Sequence, residues 1–99
     1  MVKLLMTWDI QPGKETAWLE FILKEFTPAL MKMGFQPTDL WFTVVGPAPQ
    51  VLSGGVTEDL QTMNQILEGK EWQVLHEKLL SYVIHFQKKV VAHKGRFQM

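Results

Sequence analysis

An α+β fold on one four-stranded antiparallel sheet is predicted by three observations. Short stretches of β-like pattern (3–10, 38–45, 50–57 and 89–97) alternate with longer stretches of helical period (15–33 and 58–88). Glycine and proline punctuate the boundaries, at Pro12–Gly13, Gly34, Gly46–Pro47 and Gly69. The resulting order is β-α-β-β-α-β, the ferredoxin-like split βαβ arrangement.

The first strand reads "KLLMTWDI" (3–10), with Leu4, Met6, Trp8 and Ile10 on one side and Lys3, Leu5, Thr7 and Asp9 on the other. "QPGK" (11–14) is its turn. From Glu15 to Met33, Trp18, Phe21, Ile22, Phe26, Ala29, Leu30 and Met33 recur at three- and four-residue intervals, the mark of a helix with one apolar face. Pro28 predicts a kink or a restart with Thr27 as the new cap. Gly34 ends the helix.

"TDLWFTVV" (38–45) is the most strand-like stretch, rich in β-branched and aromatic residues. Leu40, Phe42 and Val44 share one face; Trp41, Thr43 and Val45 share the other. Neither face should see water. "GPAPQ" (46–50) is a hairpin-length loop into "QVLSGGVT" (50–57), where Gly54–Gly55 predicts a bulge or a close backbone approach.

Thr57 can cap the next helix, with Glu58 and Asp59 in its first turn and Leu60, Met63, Ile66 and Leu67 as its buried stripe. Gly69 breaks this helix, and a longer one is expected from about Lys70 to Lys88. "KVVAHKGRF" (89–97) closes the chain as a strand.

Ninety-nine residues make one domain, 1–99, because two cores would each be too small. At 46% hydrophobic, with four Trp, six Phe and six Met, the chain has core material to spare for a partner subunit. Ten basic residues balance ten acidic ones, which argues against a nucleic-acid binder. Without cysteine there is no disulfide, thiolate metal site or Cys nucleophile. The N-terminal apolar run is too short for a signal peptide, and no 18-residue apolar stretch exists, so no membrane partner and a cytoplasmic location are expected.

On a helix from 70 to 88, Trp72, Leu75, His76, Leu79, Leu80, Tyr82, Val83 and Phe86 fall within about 80° of Trp72. His85 falls on the far, solvated side. The two histidines point apart and cannot share a metal ion, so no metal site is expected. His76 reads as a core histidine satisfied by one hydrogen bond or as a pocket histidine, base or axial ligand. His93 shares a strand face with apolar neighbours and suits an interface. "SGGV" lacks the lysine of a phosphate loop, and Ser53 and Ser81 lack an elbow motif. Asp9 is expected at a strand end or paired with a cation. Lys88, Lys89, Lys94 and Arg96 read as a solvated edge strand.

The order of elements, the "GG" strand and the broken helix "EDLQTMNQILEGKEWQVLHEKL" resemble the dimeric α+β barrel superfamily over nearly the whole chain. That group includes cofactor-free antibiotic-biosynthesis monooxygenases, heme-degrading monooxygenases and small stress-response proteins. The resemblance implies helices on one face of each sheet and a second subunit's sheet on the other, hence a homodimer. Heme-degrading members place an iron-ligating histidine where His76 stands, a tryptophan ten residues upstream, here Ile66, and an asparagine on the first strand, here Met6. With two of the three absent, heme degradation of that type is not expected, while heme binding through His76 stays open. The cofactor-free members imply an aromatic cleft, which Trp8, Trp72, Tyr82 and Phe86 would line with Met6, His76 acting as base.

The functional expectation is a dimer binding a small apolar or aromatic molecule. It would be a cofactor-independent monooxygenase or isomerase without metal or flavin. The alternatives are a non-catalytic ligand-binding or stress-related dimer and a heme protein using His76.

Overall fold

Strict alternation from Val2 to Ile10 makes a strand with one wholly buried side, and that strand becomes the centre of the sheet. The computed structural model describes residues 1–42 and 50–92. Its elements are β1 (Val2–Ile10), α1 (Glu15–Phe21), a π-helical segment (Ile22–Phe26), α2 (Thr27–Lys32), β2 (Gln36–Phe42), β3 (Val51–Thr57), α3 (Leu60–Glu68), α4 (Lys70–Leu80) and β4 (Val83–Ala92). The strands lie in the order β2-β3-β1-β4, every pair antiparallel. This is the ferredoxin-like α+β fold. Residues 43–49 and 93–99 lie outside the described residues, and with them Val44, Val45, most of the predicted hairpin loop, His93, Lys94 and Arg96.

The core forms between one sheet face and the helices. β1 contributes Leu4, Met6 and Trp8, each at most 1% exposed; α1 and the π segment contribute Trp18, Phe21, Ile22 and Phe26. Met63 and Ile66 of α3 and Trp72, Leu75 and Leu79 of α4 complete it. Each such large side chain contributes roughly 1.5–3 kcal/mol relative to leaving it in water.

Pro28 falls in the first turn of α2, which starts at Thr27 after a π-helical segment. The chain stays helical through the proline by widening into the π segment, and the Thr27 amide bonds back to the Ile22 carbonyl. A proline ring clashes with the carbonyl four residues earlier, and the longer-range bond of a π turn makes room for it. Thr27 therefore caps nothing. Gly34, at φ 103°, closes the helix in a Schellman arrangement: its amide reaches Met31 O and the Phe35 amide reaches Leu30 O. Leu30 and Phe35 are both buried there.

The glycine pair produces both predicted effects. A side chain at Gly55 would run into the Phe35 ring and the Gln36 carbonyl. Beside it, the β2–β3 register shifts between Pro37 and Asp39. Gly54 faces the other way, and Lys3 reaches across that side to Asp39 at 2.6 Å.

Three expectations are corrected. The helix after β3 is capped by Asp59, whose carboxylate accepts the Thr62 amide at 2.8 Å; Thr57 instead donates to the Asp59 carbonyl. Leu60, now the first helical residue, is 52% exposed and leaves the stripe. The last helix stops at Leu80 rather than Lys88, and β4 starts at Val83 rather than Lys89. Val83, Ile84, Phe86, Val90 and Val91 suit a strand, and β4 pairs along the length of β1 from Val2 to Ile10, with a register shift between Thr7 and Asp9. Ser81 makes the stop without glycine: its amide and hydroxyl both bond to the Lys78 carbonyl.

The second sheet face carries Leu5, Trp41, Leu52, Val56 and Ile84, as the strand register requires. Trp41 is 64% and Ile84 42% exposed in the single chain, so the apolar residues of β2 predicted to avoid water are not covered from within it. Among the described residues no helix is long and apolar enough to cross a membrane.

Candidate functional site

Aromatic side chains from six elements and the turn before β4 form a continuous ladder around His76. Trp72 and His76, one turn apart on α4, stack with centroids 5.4 Å apart and 8° between planes. Phe86 of β4 meets the His76 ring at 4.6 Å and stacks near-parallel on Trp8 at 6.0 Å. Trp8 continues edge-on to Trp18 of α1 at 6.2 Å, and Trp18 to Phe42 of β2 at 5.7 Å. A second arm leaves Trp72 through Phe26 and Phe21 and ends on Tyr82, with each step at 5.4–6.0 Å.

Trp8, Trp72, His76 and Phe86 thus share one cluster, although Phe86 arrives from β4 rather than from the helix stripe. Tyr82 lies in the turn before β4 and stands at the far end of the second arm. Met6 is buried on β1, on the same sheet side as Trp8. Sequence reasoning missed Trp18 and Phe42. Trp18 heads the apolar stripe of the first helix, but nothing in its spacing separates a site residue from core.

Three nitrogens in this ladder are buried and lack a hydrogen-bond partner: Nε1 of Trp8, Nε1 of Trp18 and Nε2 of His76. Buried polar atoms are almost always satisfied, and leaving one unsatisfied costs roughly 1–3 kcal/mol. The sequence expectation that a core His76 would have one bond is not met at Nε2. Burial, and then the nearby Lys88 ammonium, lowers the His76 pKa against an opposing pull from Glu77. The ring is therefore neutral at neutral pH, with one nitrogen a donor and the other an acceptor.

Heme does not fit His76 in this arrangement. An axial ligand needs a clear approach along Nε2 for a broad flat macrocycle, whereas Nε2 is buried, Phe86 leans on the ring and Trp72 covers one of its faces. Among the described residues no three metal-ligating side chains converge.

His85 lies apart from His76, on β4, and is exposed. Its Nδ1 sits 2.8 Å from Asp9 Oδ2, while Asp9 Oδ1 accepts the Gln50 amide at 2.8 Å. These two contacts, His85 first, lower the Asp9 pKa. Asp9 stands near the end of β1, and its side-chain partner is a histidine rather than a lysine or arginine. Two surface hollows stand apart from the aromatic ladder. One, about 260 Å³, is lined by Ala29, Lys70, Glu71, Val74 and Leu75; the other, about 280 Å³, lies around Met1, Gly34 and Val56.

No family model and no curated protein matches the sequence. Solved structures match its fold over essentially all its length. A NIPSNAP domain protein from Burkholderia xenovorans superposes with TM-score 0.71 at 14% identity, covering 100% of both chains. A putative antibiotic biosynthesis monooxygenase from Nitrosomonas europaea gives 0.70 at 8% identity, covering 94% of this chain and 98% of its own. An ethyl tert-butyl ether D (EthD) family protein from Bacillus halodurans gives 0.68 at 14%, covering 95% and 100%. These structures share the ferredoxin-like fold of the dimeric α+β barrels. At such identities the likeness establishes the fold alone.

Proposed function

We propose that this protein binds a small, flat, largely apolar or aromatic molecule against Trp8, Trp72, His76 and Phe86. The observation that supports this most directly is the set of three buried, unpartnered ring nitrogens in one aromatic ladder. Two are obligate N–H donors and the third belongs to a neutral imidazole, so a guest bearing a carbonyl or phenolic oxygen would satisfy what the protein leaves open.

As an enzyme, the protein would use His76 as general base on a phenolic or activated C–H proton. In a monooxygenase the resulting anion would react with dioxygen, a CH2 becoming C=O as the second oxygen atom leaves with both hydrogens as water. In an isomerase the proton would return to another carbon. The putative monooxygenase from Nitrosomonas europaea favours the first chemistry by analogy of fold only.

A non-catalytic binding module is the second reading. Its support is that, among the described residues, the ladder's only polar side-chain atoms are the ring nitrogens of Trp8, Trp18, Trp72 and His76 and the Tyr82 hydroxyl, with no charged group among them. An oxyanion normally needs a dedicated donor or charge.

We also propose that residues 1–99 act as one domain in the cytoplasm. Two copies would pack through the open sheet face to close a barrel.

Native mass spectrometry of gently purified protein, then 2-naphthol titration followed by tryptophan fluorescence, tests the binding reading. Saturable quenching that weakens in Trp8→Phe and His76→Ala supports it; quenching that is linear or unaffected by both removes it. Oxygen uptake with a dihydroxynaphthalene, present in wild type and lost in His76→Ala, separates enzyme from module.

A further inference from the structure

Among the described residues, one non-glycine residue adopts a left-handed backbone: His85, at φ 59°. A Cβ-bearing residue is sterically disfavoured there, and such residues persist only where their surroundings hold them. His85 lies where the β1–β4 register shifts. Thr7 faces Gln87 and Asp9 faces Ile84, so His85 and Phe86 together oppose Trp8. This is a β-bulge, a device that re-aims the side chains around it.

The bulge is tied from outside. His85 Nδ1 pairs with Asp9 Oδ2, Asp9 Oδ1 accepts the Gln50 amide, and Gln50 Oε1 accepts the Ile10 amide, each at 2.8 Å. Asp9 and Gln50 thus brace each other's backbone, and His85 is fastened to that brace. The adjoining Phe86 turns to the helix side, between Trp8 and the His76 ring.

We infer that Asp9 and His85 are positioning residues that hold the bulge, and through it hold Phe86 as a gate over the buried nitrogen of His76. The inference rests on the proposed binding reading and deepens it. Phe86 stacks on Trp8 with 15° between planes. A planar aromatic guest reaches His76 by taking that ring's place against Trp8, so the gate selects flat rings over bulky aliphatic molecules.

The His76 imidazole reports the gate without any ligand, because Phe86 helps to keep water from it. Its titration would be followed by NMR in the full-length wild type, Phe86→Ala, Asp9→Asn and His85→Gly. Glycine tolerates a left-handed backbone, so His85→Gly keeps the bulge and removes only the pair. Lys88 and Glu77, the charged groups that act on His76, are unchanged throughout.

Phe86→Ala is expected to move the His76 titration up toward the ordinary 6.5, with Asp9→Asn and His85→Gly moving it the same way by less. The rate of 2-naphthol association should rise roughly two- to fivefold in the latter two, the effect of losing an exposed side-chain contact. If both latch variants titrate like wild type while Phe86→Ala moves, Asp9 and His85 position nothing. If Phe86→Ala leaves His76 unmoved, Phe86 is not a gate. If 2-naphthol fails to bind wild type while the titrations shift as expected, the binding reading falls and the positioning inference stands.

Discussion

The ring of Phe35 lies against Gly55 where a side chain would otherwise stand, on the helix side of β3. The contact joins the end of the first helix to the sheet, because Phe35 is also the last residue of the Schellman turn. Gly55→Ala should therefore destabilise by about 1–3 kcal/mol, toward the upper end because the Gln36 carbonyl is backbone and cannot turn aside. Chemical denaturation measures it. Combined with Phe35→Ala, the loss should be less than the sum of the single losses, since part of the clash goes with the ring.

The cap of α3 is Asp59 rather than Thr57, and the two assignments differ in what acid does. Hydrogen bonds from Thr62 hold the Asp59 carboxyl below its usual range. A depressed carboxylate contributes stability that is present above the unfolded value, 3.8, and lost as pH falls through the folded one. Asp59→Ala should lower Tm by roughly 5 °C at pH 7. The difference from wild type should narrow as pH falls below 3.8 and through the folded value, as thermal melts against pH would show. Thr57→Val, if Thr57 were the cap, would reproduce the loss without the pH dependence.

Much of this architecture is legible in the sequence because period and punctuation agree. β1 alternates without exception, Gly34 and Gly69 stand where helices end, and the glycine pair marks a real close approach. The error at residues 81–88 has a physical source. Tyr82, Val83 and Phe86 fit the helical stripe begun at Trp72 and also fit a strand, and no glycine or proline separates the two. Pairing with β1 decides the matter, and no local pattern announces it. His76 and Trp72 are legible as neighbours because helical spacing reaches both. Phe86 falls in the same cluster for a different reason, the bulge at His85, which rests on a left-handed histidine that composition does not reveal. Trp18 and Phe42 join the ladder through tertiary packing alone.

The pH response of His76 has a sign of its own. Its pKa is lowered in the fold, first by burial. The unfolded chain therefore takes up a proton there before the folded chain does. Stability from the neutral ring is complete above the unfolded value of 6.5 and is lost as pH falls through the folded one. His76→Phe, similar in shape and without a proton to bind, escapes this loss. The stability gap in its favour should widen between pH 7 and pH 5, before the carboxylates titrate. Urea midpoints across that range check it, and a gap that narrows would show that His76 is not desolvated.

The open sheet face carries the last prediction. Trp41 and Ile84 stand exposed on it, with Leu5, Leu52 and Val56 beside them, and the Lys3–Asp39 pair crosses the same face over Gly54. Exposed apolar surface of this extent on a soluble monomer marks a contact site or an aggregation hazard. A two-fold partner would cover it with an identical patch, which would also bring two copies of the ion pair into a drier setting. Sedimentation should therefore give twice the 11.5 kDa chain mass at micromolar concentration. Trp41→Asp places a charge where the partner's apolar face would sit, so it should yield the single chain with its helix content intact. Wild type sedimenting as a monomer, or Trp41→Asp remaining a dimer, would move the interface off this face. Trp41→Phe separates loss of contact from introduction of charge, because it keeps most of the apolar area and should stay dimeric.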